Sequence, residues 1–209
     1  MNNIMRFLKK LLLLSIFTLS SLYAQSSALE AYKKGNYKYA FELYTKDANS
    51  GNTTAQNALS YLYFNGVGTK KDLKKGLFWL KKSAHGMNAQ AQYDLGMMYL
   101  SGHNVIQNPK LAFTWFDSAS DLGSVQAKYN EALMYYEGSV VDRNATKSLE
   151  LLEDAAQAGH KKSIENIGRI YMQELKFKQA RKWLKINVKN GDTQAQYLLD
   201  SISKEKIGK

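Results

Sequence analysis

The chain has 209 residues, with 44% hydrophobic and 22% charged residues and a formal net charge of +11 at pH 7. It contains no Cys, which excludes a disulfide framework, a Cys-ligated zinc site and thiol catalysis together. The basic balance alone would permit nucleic acid as a partner, but the export signal at the N-terminus argues against it.

Residues 1–24 have the organisation of a secretory signal peptide: Arg6, Lys9 and Lys10 are the positive region, Leu11 to Leu22 the apolar run, and Ala24 the small residue before a cut. Leu22 is not the ideal small residue at the third place before that cut. The alternative is an uncut membrane anchor, yet the apolar run is only 12 residues, well short of the ~20 a spanning helix requires. Cleavage after Ala24 is therefore expected, and lipid attachment by the bacterial lipoprotein route has no Cys acceptor. Loss of Arg6, Lys9 and Lys10 leaves 26 Lys plus Arg against 18 Asp plus Glu, a mature net charge of +8. Much of it lies on Lys70, Lys71, Lys74, Lys75, Lys81, Lys82 and the tail residues Lys204, Lys206 and Lys209. A solvated face is the simplest reading, with an anionic headgroup or an acidic partner as the alternative.

From Ala28 onward the chain is internally repetitive. Met87 to Gly123 reads as two amphipathic helices: Ala91, Leu95, Met98 and Tyr99 recur at helical spacing in the first, and Leu111, Ala112, Trp115, Phe116 and Ala119 in the second. Taking Ala91 as anchor, the matching small residues are Ala55, Ala127, Ser163 and Ala195, spaced by 36, 36, 36 and 32 residues. Five places after each of the first four anchors stands Ser60, Gly96, Ala132 or Gly168, and eight places after it Tyr63, Tyr99, Tyr135 or Tyr171. The last copy departs, with Asp200 and Ser203. In the second helices Gly76, Ala112, Ser148 and Ala180 are followed three places on by Trp79, Trp115, Leu151 and Trp183. Gly51, Gly86, Gly123, Gly159 and Gly191 close the units, where a left-handed C-cap residue is expected. Pro109, the only Pro, opens the Lys110 to Asp121 helix, where its missing N–H costs nothing. A period in this range predicts an α-solenoid rather than a single globular core. The 14 Tyr, 8 Phe and 3 Trp would supply its packing.

The phrases A-Q-Y-D-L-G-M-M-Y-L-S-G, A-Y-K-K-G-N-Y-K-Y-A and A-L-M-Y-Y-E-G resemble the Sel-one-like repeat, a relative of the tetratricopeptide repeat with a longer loop inside each helix pair. The resemblance covers Ala28 to Ile202. It implies an all-α, right-handed α-solenoid of about five helix pairs over residues 25–203, with a frayed basic tail at 204–209. The array is mixed, because Gly168 to Ala180 spans 12 residues where Ser60 to Gly76, Gly96 to Ala112 and Ala132 to Ser148 each span 16. That fourth unit, and Ala28 to Ala40, have the short inner turn of an ordinary tetratricopeptide repeat. The polar loops Gly66 to Asp72, Gly102 to Asn108 and Gly138 to Asn144 mark no linker and no second domain. Cys-rich exported members of the family staple each helix pair with a disulfide; here packing alone must hold the pairs.

Catalytic spacing is absent from the sequence. His85, His103 and His160 lie in or beside turns of three different repeats, with no second ligand at metal spacing, and read as residues capping the preceding helix. Glu150, Glu153 and Asp154 share part of one helix and read as a solvated acidic cluster. No nucleophile elbow or phosphate-binding glycine loop is present. No cofactor, metal or catalytic residue is assigned.

What remains is surface. In stacked helix pairs the first helices line the concave side. Positions matched to that face are Asn57, Tyr61, Phe64 and Asn65, then Tyr93, Met97 and Leu100, then Tyr129, Leu133, Tyr136 and Glu137, then Glu165, Arg169 and Met172, and finally Tyr197. Tyr and Met at this density suit a groove that holds a peptide or helix. The alternative is packing, since Tyr93, Tyr129 and Tyr197 fall where the family commonly has Tyr.

Asp142-Arg143-Asn144-Ala145-Thr146 resembles the extended bacterial N-glycosylation acceptor, which needs an acidic residue two places before Asn in addition to the Asn-x-Thr core. Asn52-Thr53-Thr54 has the core but Ser50 in place of the acid, so it should stay unmodified. Together these readings describe an exported scaffold or adaptor of a Gram-negative bacterium, periplasmic or secreted, holding a peptide or envelope protein in its concave groove, with no nucleic-acid partner. The alternatives are a cell-wall glycan-binding module and, further off, a β-lactam or cell-wall hydrolase. The last is implied only by activities assigned to exported relatives, and the absence of a Ser-x-x-Lys motif weighs against it.

Overall fold

A computed structural model describes residues 27–205, with side chains through 202; the leader assigned to 1–24 and residues 206–209 of the tail lie outside the described residues. Eleven helices and no strand occur among the described residues. They are α1 (27–33), α2 (Tyr37–Asn49), α3 (Thr53–Asn65), α4 (Leu73–His85), α5 (Ala89–Ser101), α6 (Pro109–Asp121), α7 (Val125–Glu137), α8 (Ala145–Gln157), α9 (Lys161–Gln173), α10 (Phe177–Lys189) and α11 (Thr193–Glu205). The chain is an all-α solenoid of consecutively packed helix pairs. Every helix from α2 on has 13 residues. The two loop classes fall where the spacing predicts them: 66–72, 102–108 and 138–144 are long, whereas 34–36 and 174–176 are short inner turns.

Helix starts are built at repeating positions. Asn52, Asn88, Ser124, His160 and Asp192 each place a side-chain acceptor on the backbone N–H three residues on, at the entry of α3, α5, α7, α9 and α11. Asp72, Asn108 and Asn144 do the same for α4, α6 and α8. Each such bond satisfies one of the orphan donors of a helix N-terminus. His160 thus caps the helix that follows it, not the one before, which corrects the turn reading for that residue; His85 does sit in the last turn of α4. Gly51, Gly123, Gly159 and Gly191 are left-handed as expected, but Gly86 has φ −79° and the left-handed residue of that turn is Met87, at φ 64°.

Packing divides the chain into two compact units, one ending at Leu95 and the other beginning at Gly96, inside α5. In the first, α2 packs on α3 and α3 on α4 around Ala40, Tyr44, Ala48, Ala55, Leu59 and Leu62. In the second, α6 through α11 pack in succession. The core there includes Ala132, Leu152, Ile167, Tyr171, Trp183 and Leu184. The anchors Ala55, Ala91, Ala127, Ser163 and Ala195 are all fully buried.

Inside each pair a small residue lets the partner helix approach. A Cβ added at Gly96 would stand 2.7 Å from the Phe116 ring, and one at Gly168 would stand 3.0 Å from Leu184 Cδ2. By the same register Ala132 faces Leu152, both fully buried in one cluster. Glu153 corrects the solvated reading of its acidic cluster. Its carboxylate accepts from Tyr171 Oη at 2.8 Å and Trp183 Nε1 at 3.4 Å, joining α8 to α9 and α10. Burial and that carboxylate both raise the Tyr171 pKa.

One residue breaks the core pattern. Four places after the anchor the repeats carry Leu59, Leu95, Ile167 and Leu199, but α7 carries Glu131, which is 2% exposed and has a buried, unpartnered Oε2. Burial raises its pKa, opposed by a hydrogen bond with Ser120.

Replacement of Ala132 by Leu should overpack the α7–α8 contact and lower stability by roughly 1–3 kcal/mol. Urea unfolding followed by circular dichroism checks it, and an unchanged midpoint would contradict this helix pairing.

Candidate functional site

The residues matched to the groove face are not equivalent in the structure. In the first unit Asn57 and Tyr93 are half-buried and Tyr61 is 51% exposed. The Tyr61 hydroxyl meets that of Tyr32, and this hydrogen bond is the main cause of the raised Tyr32 pKa, ahead of burial. Phe64 turns inward. A Cβ at Gly76 of α4 would lie 2.6 Å from its ring, so Phe64 seals its own helix pair and presents no groove surface there.

In the second unit Met97, Leu100 and Leu133 are half-buried and Glu137 is exposed. Leu100, Leu133, Glu137, Pro109 and Val140 border a cleft of about 470 Å³ beside the 138–144 loop. Tyr129 and Tyr136 connect repeats. The Tyr129 hydroxyl accepts from Asn166 Nδ2 at 2.8 Å, and the Tyr136 hydroxyl donates to Gln173 Oε1 at 2.7 Å, so two bonds of the same 37-residue offset tie α7 to α9. Arg143 lies over the Tyr136 ring at 5.0 Å and ion-pairs with Glu174. Arg169 of α9 pairs with Asp192 at 2.8 Å and reaches Gln194 at 3.3 Å, the corresponding tie towards α11.

The open part of the face lies between α9 and α11. Met172, Tyr197, Leu198 and Arg169, with Gln173 and Gln194 beside them, border a groove of about 540 Å³, and Tyr197 is 76% exposed. Its floor is apolar and its edges carry amide groups and one guanidinium, an arrangement that can bury apolar side chains while hydrogen-bonding a peptide backbone. Glu165 falls outside it. With Arg169, Asn187 and Asp192 it borders a separate polar cleft of about 780 Å³. Buried Asn187 donates from Nδ2 to the Glu165 carbonyl at 3.0 Å. Gln173, Gln194 and Leu198 were missed by the repeat match because their positions read as ordinary helix surface. The 37-residue offset that carries Tyr136 onto Gln173 is the signal that could have found the first of them.

Comparison with known families gives a match to the Sel1 repeat at residues 22–52, 53–86, 89–124 and 125–160. The chain belongs to the Sel1-repeat family. Among solved structures it is similar to a Sel1 repeat protein from Oxalobacter formigenes, at 27% identity and a TM-score of 0.74, over 83% of this chain and 73% of that one. It is also similar to c5321, a protective antigen of uropathogenic Escherichia coli with the SLR fold, at 30% identity and a TM-score of 0.68. That match covers 74% of this chain and only 34% of the antigen. Comparison with curated proteins gives no match. Sel1-repeat proteins generally mediate protein–protein interaction and are typically non-catalytic. No described helix is long and apolar enough to cross a membrane.

His160 caps α9 next to Tyr129, where protonation of its ring would release the cap. Its Nδ1 accepts the Ser163 N–H and lies 2.9 Å from Ser163 Oγ, while the ring meets Tyr129 of α7 at 4.9 Å. Burial, then Lys162, lowers its pKa, with Glu165 acting in the opposite sense. A folded pKa below the unfolded value means that the cap contributes fully above the usual ~6.5 and is lost as pH falls through the lower folded value. Glu131 contributes the opposite slope, because its raised pKa favours the folded state at low pH. His160→Asn keeps a neutral acceptor at this position and should remove an acid-side loss of about 1 kcal/mol. Thermal unfolding of both proteins from pH 7.5 to 5 checks this; parallel curves would show that the His160 cap does not titrate.

Proposed function

We propose that this Sel1-repeat protein is an exported adaptor that binds a peptide segment of an envelope protein in the α9–α11 groove. The observation that carries the reading is the contrast along one face. Tyr129, Tyr136 and Arg169 are engaged in repeat-to-repeat hydrogen bonds, whereas Met172 and Tyr197 border an apolar groove with one ring largely in solvent. Exposed aromatic and Met side chains ringed by polar groups are the usual make-up of a partner-binding patch. Export rests on the Arg6 to Ala24 leader pattern, and the mature net charge of +8 would speed encounter with an acidic partner. Protein–protein interaction is what family membership supports, at a coarser level than this reading. The remaining face residues, from Asn57 through Glu165, belong in this reading to the scaffold that holds the groove.

A photo-crosslinking residue at position 197 of the full chain, expressed in its own envelope, tests the proposal. It should capture one envelope protein, and Met172→Glu should reduce that capture at least tenfold while circular dichroism stays unchanged. Undiminished capture would move the contact away from the groove. Crosslinks to peptidoglycan fragments in place of protein would favour the glycan-binding alternative.

A further inference from the structure

The three long loops each end on the residue that caps the following helix: Asp72, Asn108 and Asn144. Asp72 has no carboxamide, and Asn108 is followed by Pro109, which disqualifies it as a glycan acceptor. Asn144 alone is followed by x-Thr, with Asp142 two places before it. The side chains of Asp142, Asn144 and Thr146 are all exposed. Arg143 between them is held back against Tyr136 and Glu174, which leaves its two neighbours facing solvent. Of the two Asn-x-Thr sequences in the chain, the other, at Asn52, lies in a tight turn between α2 and α3, half-buried, without the acidic residue.

We infer that Asn144 is an N-linked glycan acceptor site of the exported chain, an inference that rests on the export reading above. The two ends of its carboxamide are divided between two tasks. Oδ1 accepts the Lys147 N–H at 2.9 Å and caps α8, while Nδ2, the atom that is glycosylated, has no hydrogen-bond partner. In the transfer, Nδ2 attacks the anomeric carbon of an oligosaccharide carried on a polyprenyl pyrophosphate. The bond from that carbon to the phosphate oxygen breaks, the lipid pyrophosphate leaves with the electron pair, and Nδ2 gives up one proton to a base of the transferase. The product is a secondary amide whose carbonyl is intact, so the cap on α8 survives. Ala145 and Thr146 form the first turn of α8. A transferase that takes its acceptor in an extended conformation would act before that turn closes or during its fraying.

The full chain is expressed with its own leader, and in parallel with a leader known to direct secretion. The host supplies a polyprenyl-pyrophosphate oligosaccharide and its oligosaccharyltransferase, and intact mass is measured. The expected result is a gain of one donor oligosaccharide, absent in Asn144→Gln and in Thr146→Val, which leaves the cap in place, and strongly reduced in Asp142→Ala; Asn52 stays unmodified. Modification only behind the substituted leader would support the acceptor and sink the export reading. An unshifted mass for soluble chain carrying the substituted leader would overturn the proposal, as would a gain that persists in Thr146→Val.

Discussion

The close approach of two helices over one small residue is the contact on which the rest of this molecule depends. Phe64 lies on Gly76 and Phe116 on Gly96 at separations that a side chain on the glycine would violate, and Leu184 lies on Gly168 at a separation that would leave one tightly packed. With no Cys available to staple a helix pair, interdigitation of this kind must supply what a disulfide supplies elsewhere. Length variation is confined to the inner loops, which change from seven residues to three while α9 and α10 keep the 13 residues of the other helices from α2 on.

Polar bonds repeat on the same period and convert stacking into register. Gln56 and Gln92 each donate from a buried amide to a carbonyl eight residues back, Ala48 and Ala84, so the last turn of one pair is tied to the first helix of the next. The caps at Asn52, Asn88, Ser124, His160 and Asp192 follow the same spacing. Against this background Glu131 is the local conflict. It places an acid where its counterparts are Leu or Ile, in a buried setting that favours the protonated form. Such departures from an otherwise consistent pattern concentrate at sites with a role beyond packing.

Fold class, helix number and loop classes were legible because they follow from apolar spacing and from the anchors, which are all buried. The site was legible only in part. Helical spacing says which side of a helix a residue is on, but not whether the neighbouring element covers it. Phe64, Tyr129, Tyr136 and Tyr197 therefore look alike in sequence, while in the structure one seals its own pair, two bond to the next repeat and one stands in solvent. Glu153 was misread for the same reason, because its partners Tyr171 and Trp183 lie 18 and 30 residues away. His160 shows the converse. Its place in the cap series was visible in the 36-residue spacing, but its residue type suggested a different role.

The central claim is that the aromatic side chains of this face are engaged at α7–α9, through Tyr129 and Tyr136, whereas at α9–α11 Tyr197 stands in solvent beside the Arg169 tie. Because the chain lacks Cys, single Cys substitutions report accessibility without background. The direct measurement is the thiol-labelling rate of Tyr197→Cys against Tyr129→Cys under native conditions. The account predicts rapid labelling at 197 and labelling at least tenfold slower at 129, with equal rates after denaturation. Equal native rates would contradict it, because the whole face would then be open and the α9–α11 groove would have no special standing.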